Sequence, residues 1–239
     1  MEQNIGGVSV EWDETLVSAF VQLFQMHKSV RPAKIIETGT YHGTGSTAHV
    51  VEAIRRCHKR PHLVAEMYSI EADEKNYEIA KKNLAGFPWV RVIHGSSVAL
   101  DDAEDFITHD AMLLNHEEYP GISIDSKDPV PFYLAEIRGK LPNFGGKEQG
   151  ADDVFESLKP EIITRVCLFM LDSAGGIGYL EFQKMQKMMG NRLYYVWMHD
   201  TNHVKHFRSV RDIRKSPETW GIVAERQGEW ILAEHRKTR

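Results

Sequence analysis

Only two cysteines, Cys57 and Cys167, occur among 239 residues, one in a helical pattern and one inside an apolar strand. That scarcity excludes a disulfide framework and fits a reducing compartment. No apolar run approaches the length of a membrane span. The N-terminus is acidic and polar with no apolar core, so no secretory leader is expected and the chain reads as cytoplasmic. Basic residues are not in excess either, because 29 Lys and Arg stand against 34 Asp and Glu for a formal net charge of -5. A nucleic-acid or anionic-membrane partner is therefore not expected. The local basic cluster of Arg208, Arg211, Arg214 and Lys215 reads as a solvated helix face. Internal repeats and low-complexity segments are absent.

What is present is an ordinary globular composition, 42% hydrophobic and 26% charged. It suits one domain over residues 1–239 with a sizeable core. Residues 1–31 form an N-terminal arm and helix, opened by Asp13-Glu14-Thr15 and striped by Leu16, Val17, Phe20, Val21 and Phe24. That helix is a candidate surface for a homo-oligomer. Strand patterns then alternate with helical ones. Strands are expected at 34–37, 64–70, 89–94, 165–171 and 193–198, with helices at 46–60, 74–84, 98–107, 152–158, 179–189 and 204–215. Pro160 should lie just beyond the end of the 152–158 helix. This βα alternation implies a parallel sheet with helices on its faces. Two last strands, 220–226 and 230–234, flank Gln227-Gly228-Glu229 and form an antiparallel hairpin.

The alternation fails over 112–150, where four prolines and five glycines cluster. Within it, only Tyr133 to Lys140 suggests a short helix. An insertion of this length, carrying aromatic and apolar residues, reads as a lid over a substrate.

The most informative stretch runs from Ile35 to Ser46. An apolar strand ends in Glu37-Thr38-Gly39-Thr40-Tyr41-His42-Gly43-Thr44-Gly45, and a helix begins at Ser46. Strand, glycine loop and helix in that order make a nucleotide cradle, with free N–H groups at the helix start. The spacing is Gly-x-x-x-Gly-x-Gly. The dinucleotide fingerprint Gly-x-Gly-x-x-Gly does not occur at this turn, which weighs against a nicotinamide oxidoreductase. Glu71 ends the second strand, where a carboxylate can accept hydrogen bonds from both ribose hydroxyls.

These residues resemble motif I of the class I S-adenosylmethionine-dependent methyltransferases, and Glu71 and the closing hairpin match that family's plan. The resemblance spans about Lys34 to Glu234, apart from the insertion. It implies an α/β, Rossmann-like, doubly wound sheet of seven strands in the order 3-2-1-4-5-7-6, the last-added strand antiparallel. It also implies S-adenosyl-L-methionine as cofactor, contacted by Glu37, Gly39, Thr40, Gly43, Gly45, Ser46, Glu71, Ala72, Gly95, Ser96, Ser97 and Asp172. Ser96 and Ser97 would lie near the adenine, and Asp172 beside the methyl group.

A second likeness concerns the ends of strands four and five. Asp172 and Asp200 there, with His199, resemble the site of metal-dependent O-methyltransferases acting on macrolide sugars and their cephalosporin-hydroxylase-like relatives. That branch carries Glu-Asp after strand five where this chain has His199-Asp200. The catechol-type branch carries Asp-Asn, where this chain has Asp200-Thr201-Asn202. The likeness implies Mg²⁺ or Mn²⁺ on Asp172, His199 and Asp200. The competing reading makes Asp200 the cap of a helix starting near Asn202. His203 is the candidate general base and His206 a surface residue one helical turn on. The function so implied is methyl transfer to a small hydroxylated acceptor, with Asp172, Asp200 and His203 as catalytic residues. The alternatives are a hydroxylase-like or non-catalytic cofactor binder and, less favoured, an NAD-dependent oxidoreductase.

Overall fold

The computed structural model describes residues 11–57, 65–140, 150–174 and 176–236. The start of the N-terminal arm, the end of the 46–60 helix, Val64, Gly175 and residues 141–149 of the insertion lie outside it. The strands are β1 (Lys34–Thr38), β2 (Glu66–Glu71), β3 (Val90–His94), β4 (Cys167–Leu171), β5 (Tyr194–His199), β6 (Trp220–Arg226) and β7 (Trp230–His235). The helices are α1 (Glu14–Gln25), α2 (Ser46–Cys57), α3 (Glu74–Asn83), α4 (Leu100–His109), α5 (Ala111–Leu114), α6 (Pro129–Ile137), α7 (Val154–Ile162), α8 (Gly178–Met189) and α9 (Phe207–Lys215).

The sheet order is β3-β2-β1-β4-β5-β7-β6. Strands β1 to β5 pair in parallel, and β7 runs antiparallel to both β5 and β6. This is the order the motif resemblance implied. Period-two alternation divides the side chains between two layers. Ile35, Leu168, Met170, Tyr195 and Trp197 face α1 and α2. Ile36, Phe169, Leu171, Val196 and Met198 face α4 to α9. Residues such as Leu168, Phe169 and Trp197 are wholly buried, because a parallel sheet is covered on both sides.

Helix α1 buries its apolar stripe within the chain, against α2 and the sheet. Its cap, Asp13, accepts from the backbone N–H of Thr15 and Leu16 at 2.8 and 3.3 Å. The other carboxylate oxygen of Asp13 accepts from the Trp230 indole of β7 at 2.8 Å and lies 3.3 Å from Arg226 of β6. The Asp13 N–H donates to His49 of α2 at 2.8 Å. One residue thus joins the first helix to the last hairpin.

Three expected boundaries are corrected. Pro160 sits inside α7, which runs on to Ile162. A proline in the final turns removes one helical hydrogen bond without ending the helix. Helix α9 starts at Phe207, because residues 201–206 form turns that dock the side chains of the site. The helix within the insertion begins at Pro129, where a proline suits the first helical position, and not at Tyr133. Among the described residues no helix is long and apolar enough to cross a membrane.

Candidate active site

All five parallel strands deliver their carboxyl ends to one edge, where open α/β sheets place ligands. Thr38 is level with Ile70 and with Leu171, and Leu171 is level with Met198. Gly39, Asp172 and His199 are therefore brought together directly beyond the sheet.

Gly39 turns the chain with φ +75°. A Cβ on it would lie 2.8 Å from the Asp172 carbonyl carbon and 2.9 Å from Ser173 Cα, and nearer still to the Asp172 carbonyl oxygen. The close approach of the β1 and β4 loops therefore requires glycine. Backbone N–H groups of Gly39 and Thr40 donate to the Ile70 carbonyl at 3.1 and 3.2 Å, which fastens the turn to β2.

Beneath the turn lies Glu37, fully buried. It accepts from Ser46 Oγ at 2.8 Å, from Thr47 Oγ1 at 2.7 Å, and from Ser69 Oγ. Burial pushes its carboxyl above the usual range, against these three donors. The Thr40 hydroxyl lies 2.9 Å from Ser69 Oγ. The side chains of Glu37, Thr40 and Ser46 thus hold the turn from inside. Their polar atoms are partnered within the protein, so any contact they make with a cofactor falls to the backbone.

Glu71 is differently placed. Its two carboxylate oxygens accept one backbone N–H each, from Tyr41 at 2.6 Å and Asp73 at 2.9 Å. Each oxygen keeps a lone pair for a further donor. Burial raises the Glu71 carboxyl to about 7, over the opposing pull of those two N–H groups. A diol must donate to the ionised form, so ligand affinity should fall as pH drops through that value, about tenfold per pH unit. Calorimetry with S-adenosylhomocysteine from about pH 8 to about pH 6 reads this. The Glu71→Gln variant should bind more weakly with a flat profile, and an equally steep profile in that variant would assign the effect elsewhere.

Ala72 is exposed beside Glu71. At the end of β3, Gly95 and Ala151 form a backbone bridge. Ser96 Oγ donates to the Val98 carbonyl at 2.6 Å, and Ser97 Oγ donates to Glu181. Both hydroxyls are committed within the protein.

Glu181, on α8, was not found from the sequence. It is wholly buried and accepts from Thr38 Oγ1 at 3.2 Å and Ser173 Oγ at 2.7 Å as well as from Ser97. One carboxylate so ties the ends of β1, β3 and β4 together. Its signal was a charged residue at a position shared with Phe182, Met185 and Met189 on the inward face of α8.

Across the edge, Asp172, His199 and Asp200 each offer a ligand atom, all within 4.8 Å of one another. His199 Nδ1 is 3.1 Å from Asp200 Oδ1 and 3.8 Å from Asp172 Oδ1. A fourth group joins them. Lys205 Nζ lies 2.9 Å from Asp172 Oδ1 and 2.9 Å from Asp200 Oδ2, with only 10% of its side chain exposed. Burial disfavours the ammonium, but the two carboxylates outweigh it and hold its pKa above the ordinary lysine value. Burial likewise opposes ionisation of Asp200, and His199 and Lys205 overcome it, keeping that carboxyl far below the usual range. For His199, burial is outweighed by Asp200 and Asp172, and the imidazole titrates above its ordinary value. Asp200 has φ +53° and caps no helix, since α9 starts at Phe207. The capping reading is thereby excluded.

The sequence matches no family model and no curated protein. Among solved structures, a provisionally assigned caffeoyl-CoA O-methyltransferase of Staphylococcus aureus is 13% identical with TM-score 0.47, over 94% of this chain and 84% of that one. An O-methyltransferase of Bacillus cereus in complex with SAH is also 13% identical with TM-score 0.46, over 96% of this chain and 84% of that one. The fibrillarin pre-rRNA processing protein of Methanococcus jannaschii is 10% identical with TM-score 0.41, over 90% of this chain and 71% of that one. The strand order, read from the chain's own pairing, is what decides the fold. It is the Rossmann-like methyltransferase fold.

In this methyltransferase fold the remaining histidines fall outside the open part of the site. His203 Nε2 is 3.2 Å from Asp125 Oδ2 and 3.4 Å from the Tyr133 hydroxyl, and the Tyr133 hydroxyl donates to Asp125 at 2.9 Å. Ser123 and His203 form a backbone bridge, and Asn202 Nδ2 donates to the Gly121 carbonyl at 3.0 Å. His203 therefore fastens the insertion to the β5 loop. His206 is 0% exposed, against the expectation of a surface residue, and burial drives its pKa well below the ordinary value. It fills the space over Gly178, where a Cβ would lie 2.5 Å from Cε1 of the His206 ring. The basic cluster is also partly corrected. Arg208 pairs with the buried Asp110 and stacks over Tyr179 at 4.3 Å, while Arg211 and Arg214 remain half exposed.

Proposed function

We propose that this protein is a cytoplasmic S-adenosylmethionine-dependent methyltransferase that methylates an oxygen of a small hydroxylated acceptor. The observation that carries the reading is Glu71. It is a buried carboxylate at the end of β2, with one lone pair free on each oxygen, held by the Tyr41 N–H of the glycine turn and by the Asp73 N–H. A ribose diol is the ligand that this geometry receives.

S-Adenosylmethionine, when bound, supplies a sulfonium methyl that leaves sulfur for the acceptor oxygen as the acceptor's O–H proton departs. The chain's residues orient and deprotonate. The glycine turn admits the methionine portion, and Asp172 lies across from it at the end of β4. Asp200 holds Nδ1–H of His199, which fixes the imidazole tautomer, so that its other nitrogen can take the acceptor proton. This moves the base from His203, whose ring is engaged with Asp125 and Tyr133, to His199. The insertion, fastened through His203, covers the acceptor and excludes water.

Calorimetry with S-adenosylhomocysteine beside NAD, followed by labelled methyl transfer to a panel of hydroxylated acceptors, tests the proposal. Binding of NAD alone would defeat it, and cofactor binding without transfer to any acceptor would favour the non-catalytic reading. In an Asp200→Ala variant turnover should fall about a hundredfold with S-adenosylhomocysteine binding retained. Unchanged turnover would remove the His199–Asp200 pair from the mechanism.

A further inference from the structure

The donor set at the ends of β4 and β5 looks at first like a cation site, since three ligand atoms converge within 4.8 Å. A divalent ion on Asp172 and Asp200 would have to sit between their carboxylates. That position is taken. Lys205 Nζ is 2.9 Å from an oxygen of each, and its side chain is almost completely enclosed.

The obstruction is built in. Lys205 lies in the turns between β5 and α9, and those turns are fixed on both sides. The Lys205 N–H donates to His203 Nδ1 at 3.3 Å, and the adjoining Val204 N–H donates to the Ser123 carbonyl at 3.0 Å. Swinging the ammonium out to admit an ion would break both of its carboxylate contacts. Leaving it in place would put an ammonium against the metal, and like charges at such spacing repel strongly in a poorly solvated site.

We infer that Lys205 is the resident cation of this site, an internal ammonium standing where related donor sets would hold a divalent metal, and that the protein binds no metal between Asp172 and Asp200. Two of its three N–H donors go to the carboxylates, and the third is available for an acceptor oxygen. In the proposed methyl transfer, on which this role rests, Lys205 stabilises the oxyanion that forms as His199 takes the proton. No Lewis acid is required.

Manganese titration read by electron paramagnetic resonance tests the inference without cofactor or turnover, so its failure is separate from failure of the methyltransferase reading. The wild-type protein should leave Mn²⁺ free in solution. Lys205→Met removes the charge and keeps much of the bulk. That variant should bind one Mn²⁺ roughly tenfold or more tightly than the wild type, gain thermal stability on adding it, and lose both gains when Asp200→Asn is added. Stoichiometric Mn²⁺ on the wild type, abolished by Asp172→Asn, would overturn the inference. So would a folded Lys205→Met variant that gains no Mn²⁺. Should that variant fail to fold, the wild-type titration with its Asp172→Asn control decides alone.

Discussion

A Gly39→Ala variant is expected to lose cofactor binding altogether and to unfold with about 3 kcal/mol less stability. Two costs add. The residue has φ +75°, which costs an alanine about 1 kcal/mol or more. The new methyl would also lie inside van der Waals contact of the Asp172 carbonyl and Ser173 Cα, and that obstacle is backbone, which cannot rotate away. The loops after β1 and β4 must separate. Their separation moves Asp172 and pulls the Thr40–Tyr41 backbone from Glu71, and a displacement of about 1 Å at such a site is worth about a hundredfold. Urea unfolding measures the first effect and calorimetry with S-adenosylhomocysteine the second. A variant that folds and binds normally would show that the loops do not approach as described. Gly228, also at positive φ but with nothing within 4 Å of an added Cβ, is the matched control, and Gly228→Ala should lose stability only.

The second large effect belongs to Glu181. Glu181→Ala should cost about 4 kcal/mol, since it opens a cavity and strands the Thr38, Ser97 and Ser173 hydroxyls in a buried place. Glu181→Gln keeps the shape, and the three hydroxyls can reverse their donor and acceptor roles, so about 1 kcal/mol is expected. The pH dependence of stability gives a second test of that residue. Burial raises the folded-state pKa of Glu181 above 4.5, over the opposing hydroxyl hydrogen bonds. Between these values the folded state holds a proton that the unfolded state has lost. The stability so gained is complete below 4.5 and is lost as pH rises through the folded value. Glu181→Gln should therefore flatten the decline in unfolding free energy as pH rises above the ordinary glutamate range. Glu37 and Glu71 shift in the same direction, so part of the decline should remain.

Much of this arrangement was legible in the residues, for identifiable reasons. Fully buried strands such as Cys167–Leu171 show continuous apolar runs, and Asp13 announces the helix it caps. The glycine turn was visible because φ > 0 and close backbone approach admit few residues. Glu71 was visible because a strand-end acid stands out. What could not be read was long-range pairing of charge. Lys205 stands between valine and histidine in a segment patterned like a helix, and nothing local shows that it reaches back to Asp172. Glu181 is one acid among 34 acidic residues until α8 is placed on the sheet. His203 and His206, read as neighbours on one helical face, separate because turns precede α9. One ends against the insertion and the other within the core.

The bonds that Asp13 makes reach far beyond the helix it caps. Its partner Trp230 lies 217 positions away, on the strand that is inserted between β5 and β6. During synthesis the indole that completes this anchor emerges only after every element from α1 to β6. Helix α1 and strand β7 thus lock into place together. Contacts so distant in sequence slow folding and make it cooperative across the whole domain. A nascent chain stopped before Trp230 would hold an incomplete sheet and an unanchored first helix.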